Sequence, residues 1–130
     1  MGTKVSAVLD FNNEFQGQLQ LKEGQINIGM QANEARPYDL LQGALVSCLH
    51  STFLDILEKK RLSIAFAHYD VEGEKRDEIP STLKSVKITV TLPKGNEEQF
   101  TKSMELAKKY CSVFTTISKV AEMELVICYK

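Results

Sequence analysis

The chain has 130 residues, of which 43% are hydrophobic and 25% are charged, and its net charge is −1. This length and composition predict one globular domain over residues 1–130, whose core needs no metal or disulfide. The small net charge gives no general attraction to nucleic acid or to an anionic membrane. No signal peptide or membrane-spanning run is expected, so a cytoplasmic location is predicted, where the three cysteines remain thiols.

The first sixty residues predict three short strands followed by a long helix. Alternating apolar residues in the first thirty positions indicate an antiparallel meander with one buried face. Pro37 suits the first turn of a helix, because its missing N–H group would have no helical partner there. Apolar residues then recur at three- and four-residue steps to about Lys60, which predicts a central and mostly buried helix.

The remaining residues predict a mixture of strands and helices. Two strands are expected around residues 64–69 and 86–92, separated by a charged loop at residues 73–81. Two helices and a last strand follow at about residues 97–109, 112–120 and 123–129. The order β-β-β-α-β-β-α-α-β predicts an α+β fold with antiparallel sheets around a large central helix. One small sheet covers such a helix poorly, so we expect a homodimer.

Cys48 lies in the apolar stretch of the long predicted helix. The simplest interpretation is a small buried hydrophobic residue, since free cysteines are often buried and inert. The alternative is a reactive thiolate, which the hydroxyls of Ser51 and Thr52 would stabilise from the next helical turn. His50 points to another face of the helix and is a poor candidate for a base.

Cys111 is predicted at the start of a short helix, where unpaired N–H groups and the helix dipole favour an anion. Lys108 and Lys109 add positive charge nearby, so we expect a lowered pKa for the Cys111 thiol. The alternative is a cysteine packed in the corner between two helices. Cys128, on the last strand, is expected to be structural or on the surface. No cysteine pair has zinc-site spacing, so no metal is expected.

Charged residues offer weaker candidates. Arg36 and Asp39 flank the start of the long helix, where Arg36 would hold a carboxylate or polarise a hydroperoxide, although most such arginines are solvated. Asp39 suits the first helical turn because its charge complements the dipole. Arg76, in the charged loop, is expected to be solvated, and His68 is expected to be a strand histidine without a catalytic role.

Three short segments resemble the OsmC/Ohr family, the osmotically induced and organic-hydroperoxide-resistance proteins. Residues 37–48 look like the family's first cysteine helix, in which Pro-x-Glu-Leu-Leu precedes small residues and a cysteine. Residues 79–88 look like its proline-containing loop and following strand, and residues 107–113 look like its second cysteine motif, usually Cys-Pro-Val. Here Asp39 stands where the family usually has glutamate, and Ser112 stands where it usually has proline.

The resemblance implies an intertwined homodimer with thiol peroxidase activity. It implies that Cys48 attacks an organic hydroperoxide or hydrogen peroxide, and that Cys111 resolves the resulting sulfenic acid as an intramolecular disulfide. A dithiol such as a lipoyl group then restores the thiols, and no metal or bound cofactor is implied. The family's catalytic arginine usually lies in the first strands, whereas the first arginine of this chain is Arg36. Arg36 is therefore the candidate to replace it, and Asp39 matches the helix-start glutamate.

Two other functions remain open. The missing early arginine motivates a non-catalytic dimer of the same fold that binds a small apolar molecule or senses oxidation. The pattern also fits an α+β interaction module with inert thiols. Turnover with a dithiol separates the peroxidase from the first alternative, and slow labelling of Cys48 and Cys111 in the native protein would indicate the second.

Overall fold

A computed structural model describes residues 2–130 and confirms the α+β class and the predicted order of elements. Its helices are α1 (Pro37–Lys59), α2 (Glu97–Tyr110) and α3 (Ser112–Ser118). Its strands are β1 (Leu9–Phe11), β2 (Gly17–Gln20), β3 (Gln25–Ile28), β4 (His68–Lys75), β5 (Leu83–Leu92) and β6 (Glu122–Tyr129). The chain divides into two compact units, of which the first ends at Gly43 and the second covers Ala44–Lys130.

The first unit contains an antiparallel sheet in the order β1-β2-β3, as the sequence predicts. Its register pairs Leu9 with Leu19 and Leu19 with Ile26, which places these apolar residues on one face. The prediction that this face is buried is wrong for the single chain, because strands of three or four residues bury little surface. The exposed apolar residues of this unit include Leu9, Phe11, Phe15, Leu21 and Ile26.

The second unit contains a three-stranded sheet in the order β4-β5-β6. β4 pairs antiparallel with β5, but β6 pairs parallel with β5, so the prediction of antiparallel sheets is wrong for this pair. The reason is that α2 and α3 form a crossover, which returns β6 in the direction of β5. β4 spans His68–Lys75. The sequence prediction placed residues 73–75 in a loop, but the structure has them as exposed residues at the end of this strand.

α1 is 23 residues long and buries one stripe of its surface. Leu45, Leu49, Phe53 and Leu57 recur at four-residue steps and are at most 1% exposed. The helix is less buried than the sequence predicts, since Leu54 is 42% exposed. By its length and by a mean hydropathy of 1.4 over its most apolar 18 residues, α1 would also suit a membrane span. Core helices of soluble proteins can be equally long and apolar, and the buried stripe on α1 is typical of a core helix.

The core of the second unit combines the stripe on α1 with buried residues of β5, α2 and α3. The buried side chains from these three elements include Val86, Ile88, Val90, Leu92, Phe100, Met104, Ala107, Phe114 and Ile117. Burial of one large apolar side chain contributes about 1.5–3 kcal/mol, so this core fixes the faces of the helices. It thereby positions the middle of α1 and the junction between α2 and α3.

Candidate active site at a pair of thiols

The two cysteines singled out by the sequence lie together in the second unit. Cys48 is on α1, and Cys111 is the residue between α2 and α3. Each thiol shifts the pKa of the other, and both are free thiols in this structure. The hydroxyl oxygen of Ser112 lies 3.8 Å from the Cys48 sulfur. The fold therefore brings two segments that are distant in sequence to one thiol pair.

Cys48 lies at the edge of the buried stripe on α1. Its neighbours Leu45 and Leu49 are fully buried, which fixes the orientation of this turn, whereas Cys48 itself is half-buried. The Thr52 hydroxyl donates to the backbone carbonyl of Cys48 at 2.9 Å and not to its sulfur, so the predicted role of Thr52 is wrong. Threonine in a helix commonly bonds the carbonyl four residues earlier in this way.

Neutral hydrogen-bond donors lower the pKa of the Cys48 thiol. The largest contribution comes from the backbone N–H of Val113, and smaller ones come from the Cys111 thiol and from the hydroxyl and N–H of Ser112. Partial burial opposes this lowering, because burial disfavours the charged sulfur. The first N–H groups of α3 have no partner within the helix, so they are available to a thiolate at Cys48.

Burial gives the Cys111 thiol a raised pKa, contrary to the sequence prediction. Cys111 is the N-cap of α3, and its sulfur accepts a hydrogen bond from the Phe114 N–H at 3.4 Å. Burial nevertheless raises the pKa of the Cys111 thiol to about 11, and the adjacent Cys48 adds to the rise. The predicted lowering is wrong because Cys111 is completely buried, and burial disfavours a charged sulfur.

The two lysines near the end of α2 have partners of their own. Lys108 forms an ion pair with Glu105 at 2.9 Å, and the Lys109 amine lies 5.7 Å from the centre of the Tyr110 ring. The pKa of Cys111 is governed by burial, by Cys48 and by backbone N–H groups. Cys111 is therefore neutral at ordinary pH, beside a sulfur that favours negative charge.

Arg36 and Asp39 form an ion pair within the first unit. Asp39 Oδ2 accepts from Arg36 Nε at 3.1 Å and from the Arg36 backbone N–H at 2.9 Å. A second guanidinium nitrogen, Nη2, donates to Asp39 Oδ1 at 3.3 Å. These hydrogen bonds lower the pKa of the Asp39 carboxyl. Both side chains are exposed, and they pair with each other at the start of α1.

Both histidines have partners other than the thiols. His50 Nδ1 lies 2.8 Å from the Tyr69 hydroxyl, and burial lowers the pKa of His50. His68 Nε2 lies 3.3 Å from an Asp70 carboxylate oxygen at the exposed start of β4. The sequence predictions that His50 is a poor base and that His68 has no catalytic role stay predictions.

Arg76 is ordered, although the sequence predicts a solvated side chain. Its guanidinium donates to the Thr82 hydroxyl at 3.2 Å, to the Leu83 carbonyl and to the Val120 carbonyl at 3.1 Å. Arg76 therefore links the end of β4 to the start of β5 and to the segment that follows α3. Its long side chain reaches carbonyls that a sequence pattern does not reveal.

An apolar groove lies between α1 and α2 and begins one helical turn after Cys48. Its volume is about 410 Å³, and Thr52, which bonds the Cys48 carbonyl, forms part of its wall. The other lining residues are Asp55, Ile56, Lys59, Lys60, Leu106 and Tyr110. A larger cavity of about 680 Å³ is lined by Phe66, His68, Thr91 and Lys130 and, like the groove, includes no cysteine in its lining. The groove is the better candidate for binding the organic part of a substrate, because Thr52 in its wall is one helical turn from Cys48.

Ser112 and Val113 are site residues whose role the sequence reasoning missed. Ser112 was noted only as a departure from the family pattern, and Val113 contributes through its backbone N–H rather than its side chain. The sequence did contain a sign of this role. Ser112 and Val113 follow a cysteine at a predicted helix start, and the first turn of a helix has unpaired N–H groups. The identity of the acceptor, Cys48 on another helix, required the fold.

The remaining candidates are a metal site and the third cysteine. Among residues 2–130, no group of three or more His, Cys, Asp or Glu side chains is placed to hold a metal ion. Cys128 is an exposed thiol on β6, paired in register with Thr91 of β5.

The chain is similar to a known family in both sequence and structure. The sequence pattern of the OsmC-like protein family matches residues 30–126, whereas a comparison with curated protein sequences gives no significant match. An OsmC-like protein from Mycoplasma pneumoniae superposes with a TM-score of 0.86 and 14% identity, over 99% of each chain. A hypothetical protein from Aquifex aeolicus gives a TM-score of 0.85 and 23% identity, over 100% of this chain and 98% of that one. An organic hydroperoxide resistance protein from Elizabethkingia anophelis gives 0.75 and 14%, over 100% of both chains. The chain belongs to the OsmC-like protein family.

Proposed function

We propose that this protein is a thiol-dependent peroxidase that reduces organic hydroperoxides. The observation that carries the proposal is the placement of Cys48 beside the segment of Cys111 and Ser112. The surroundings of Cys48 lower its pKa, and burial raises the pKa of Cys111. Such a pair supplies a thiolate nucleophile and a protonated second thiol beside it. In this proposal both compact units act together as one domain over residues 1–130.

The proposed cycle begins at the Cys48 sulfur. The thiolate attacks one peroxide oxygen, the O–O bond breaks, and the alkoxide leaves and takes up a proton as an alcohol. Cys48 then carries a sulfenic acid. The Cys111 sulfur attacks the sulfenic sulfur, a disulfide forms, and water leaves with the Cys111 proton. A dithiol reduces the disulfide to two thiols and becomes a disulfide itself.

The groove between α1 and α2 supports an organic substrate over hydrogen peroxide. Its apolar wall includes Ile56, Leu106 and Tyr110, which suits an alkyl or aryl group attached to the peroxide. The similarity to a protein described as an organic hydroperoxide resistance protein agrees with this choice of substrate. Hydrogen peroxide has no apolar group to occupy the groove, so we expect it to be the poorer substrate.

We propose that the working unit is a cytoplasmic homodimer recycled by a dithiol such as a lipoyl group. Large apolar side chains stay exposed on the single chain, among them Leu54 and Leu106 from α1 and α2. A second copy of the chain is the proposed cover for these residues, since soluble monomers rarely expose extended apolar patches. The proposed location is one in which thiols remain reduced between cycles.

Arg36 and Asp39 have supporting roles in the proposal. Arg36 is the proposed cation that polarises the peroxide, and Asp39 the carboxylate that orients it. Their mutual ion pair supports the orienting role, because it occupies two of the three guanidinium nitrogens. The third nitrogen, Nη1, is the group assigned to the peroxide.

The test is the mass of the reduced protein after one equivalent of cumene hydroperoxide, followed by peptide mapping. We expect a loss of two hydrogen atoms per chain and a mapped link between Cys48 and Cys111. The Cys128→Ser variant should give the same link, because Cys128 has no part in the cycle. The Cys48→Ser variant should keep its mass, since the attacking sulfur is missing.

A second candidate function, binding of a small apolar molecule without turnover, is favoured by the same groove. It requires no reaction at the thiols. An unchanged mass, with Cys48 and Cys111 both still free after peroxide treatment, would contradict the peroxidase and favour this binding function. Cross-linking through Cys128 alone would also contradict the proposed cycle.

A further inference from the structure

Ser112 lies beside the Cys48 sulfur and affects it through two different groups. Its hydroxyl oxygen lies 3.8 Å from the Cys48 sulfur. Its backbone N–H, at the first position of α3, makes a small contribution to the lowered pKa of the Cys48 thiol. Serine is able to offer both donors, whereas proline at this position would offer neither.

The donors around Cys48 are all uncharged. They are the backbone N–H groups of Val113 and Ser112, the Ser112 hydroxyl and the Cys111 thiol. The lysines at the end of α2 are paired with Glu105 and placed over the ring of Tyr110. The titratable group facing Cys48 is thus Cys111, which remains protonated at ordinary pH because its pKa is about 11.

We propose that Ser112 is a positioning residue, whose hydroxyl and backbone N–H hold the Cys48 sulfur as a thiolate in front of α3. Its part in turnover rests on the proposed peroxidase function, but its effect on the sulfur does not. A thiolate accepts hydrogen bonds and donates none, so the hydroxyl hydrogen must point toward the sulfur in the charged state. The cation seen in many activated thiols is replaced here by neutral donors at short range.

Three substitutions separate the two donors. Ser112→Ala removes the hydroxyl and keeps the N–H, whereas Ser112→Pro removes both and is compatible with the first position of a helix. Ser112→Thr keeps both and tests rescue. Ser118→Ala is the matched control, because this hydroxyl of the same helix donates to the Thr115 carbonyl at 2.6 Å.

The measurement is the rate of Cys48 alkylation by iodoacetamide against pH, read by peptide mapping on the full reduced chain. We expect Ser112→Ala to raise the Cys48 pKa by about one, which lowers the thiolate fraction about tenfold below that pKa. Ser112→Pro should raise the Cys48 pKa further. Ser112→Thr and Ser118→Ala should match the unaltered protein.

This readout distinguishes failure of the inference from failure of the proposed function. A raised Cys48 pKa in Ser112→Ala supports the inference even if the protein consumes no peroxide. An unchanged Cys48 pKa in both Ser112→Ala and Ser112→Pro overturns it, even if the unaltered protein is an active peroxidase. An equal rise in Ser112→Thr and Ser112→Ala would also overturn it, because the threonine hydroxyl should have restored the native value.

Discussion

Cys48 and Cys111 have the same side chain and lie in contact, yet their surroundings differ in two respects. Cys48 is half-buried and faces the N–H groups that begin α3, whereas Cys111 is completely buried within the helix junction. The pKa of Cys48 is lowered by hydrogen bonds, and the pKa of Cys111 is raised chiefly by burial. The comparison teaches that N–H groups at one helix start lower the pKa of both sulfurs, and that burial outweighs this effect at Cys111.

The difference assigns the proposed roles without reference to any relative. A nucleophilic thiol needs to lose its proton and to be reachable by the substrate, and the lowered pKa and partial exposure of Cys48 suit that proposed role. A resolving thiol should stay protonated until a sulfenic acid forms beside it, which burial ensures for Cys111. Each cysteine also influences the other, because negative charge on Cys48 raises the pKa of Cys111.

The largest expected effect comes from removing each sulfur in turn. Cys48→Ser should reduce steady-state consumption of cumene hydroperoxide to the background rate, since the nucleophile is lost. Cys111→Ser should consume about one equivalent of peroxide per chain and then stop, because the sulfenic acid on Cys48 has no resolving thiol. The measurements are peroxide consumption with dihydrolipoamide for Cys48→Ser, peroxide consumption without added dithiol for Cys111→Ser, and trapping of the sulfenic acid with dimedone.

The Cys128→Ser variant is the control for the general effect of losing a surface thiol. It should turn over at the rate of the unaltered protein. If Cys111→Ser lost the first equivalent and Cys48→Ser retained it, the two roles would have to be exchanged, and the comparison between the two surroundings would be wrong.

A smaller but still large effect is expected in the reactivity of the two thiols. At pH 8, a thiol with a pKa of about 11 is ionised in only about one molecule in a thousand. Cys48 should therefore be alkylated at least about a hundredfold faster than Cys111, and burial of Cys111 should widen the gap. Competitive labelling of the native reduced protein followed by peptide mapping gives the ratio.

Labelling in denaturant supplies the internal control for this ratio. In the unfolded chain the two cysteines lose their separate surroundings, so their rates should converge. Equal rates in the native protein would contradict the assignment and would favour two inert thiols in a structural role.

Much of the fold could be predicted because it is encoded in local periodicity. α1 begins at Pro37, as predicted, and ends at Lys59, one residue before the predicted end. The alternation from Val86 to Leu92 correctly indicated β5, which begins at Leu83. Local periodicity does not encode the direction in which a distant strand pairs, so the parallel arrangement of β5 and β6 was missed.

The candidate site was only half predictable for a related reason. The positions of Cys48 and Cys111 within their motifs identified the pair, and the structure brings them together. The pKa of Cys111 was predicted in the wrong direction, because burial depends on what packs over a residue and not on its neighbours in sequence. The Ser112 hydroxyl was missed because its partner lies on α1. The catalytic roles of Arg36 and Asp39 stay predictions.

The smallest expected effect is on stability at high pH, where Cys111 should make the free energy of unfolding depend measurably on pH. Its pKa is raised from an ordinary value of 9.0 to about 11 on folding, so between these values the folded chain holds a proton that the unfolded chain has released. The free energy of unfolding should then fall by about 1.4 kcal/mol per pH unit in this window, and not below it. Below pH 9, Cys48 has the opposite effect on the free energy of unfolding. Folding lowers its pKa below 9.0, so the free energy of unfolding rises with pH between the folded value and 9.0. Urea unfolding of the reduced protein at pH 8, 9 and 10 measures both slopes.

Cys111→Ala is the matched variant for this slope, because it removes the titrating group at the same buried position. The variant will be less stable at every pH, since it loses a buried sulfur and the N-cap acceptor, so only its pH dependence decides the question. Burial also raises the pKa of the Tyr69 hydroxyl, and both proteins share that contribution at high pH. The difference between their slopes above pH 9 therefore isolates Cys111. Parallel slopes would mean that Cys111 titrates alike in the folded and unfolded chains, and the contrast between the two thiols would then rest on Cys48 alone.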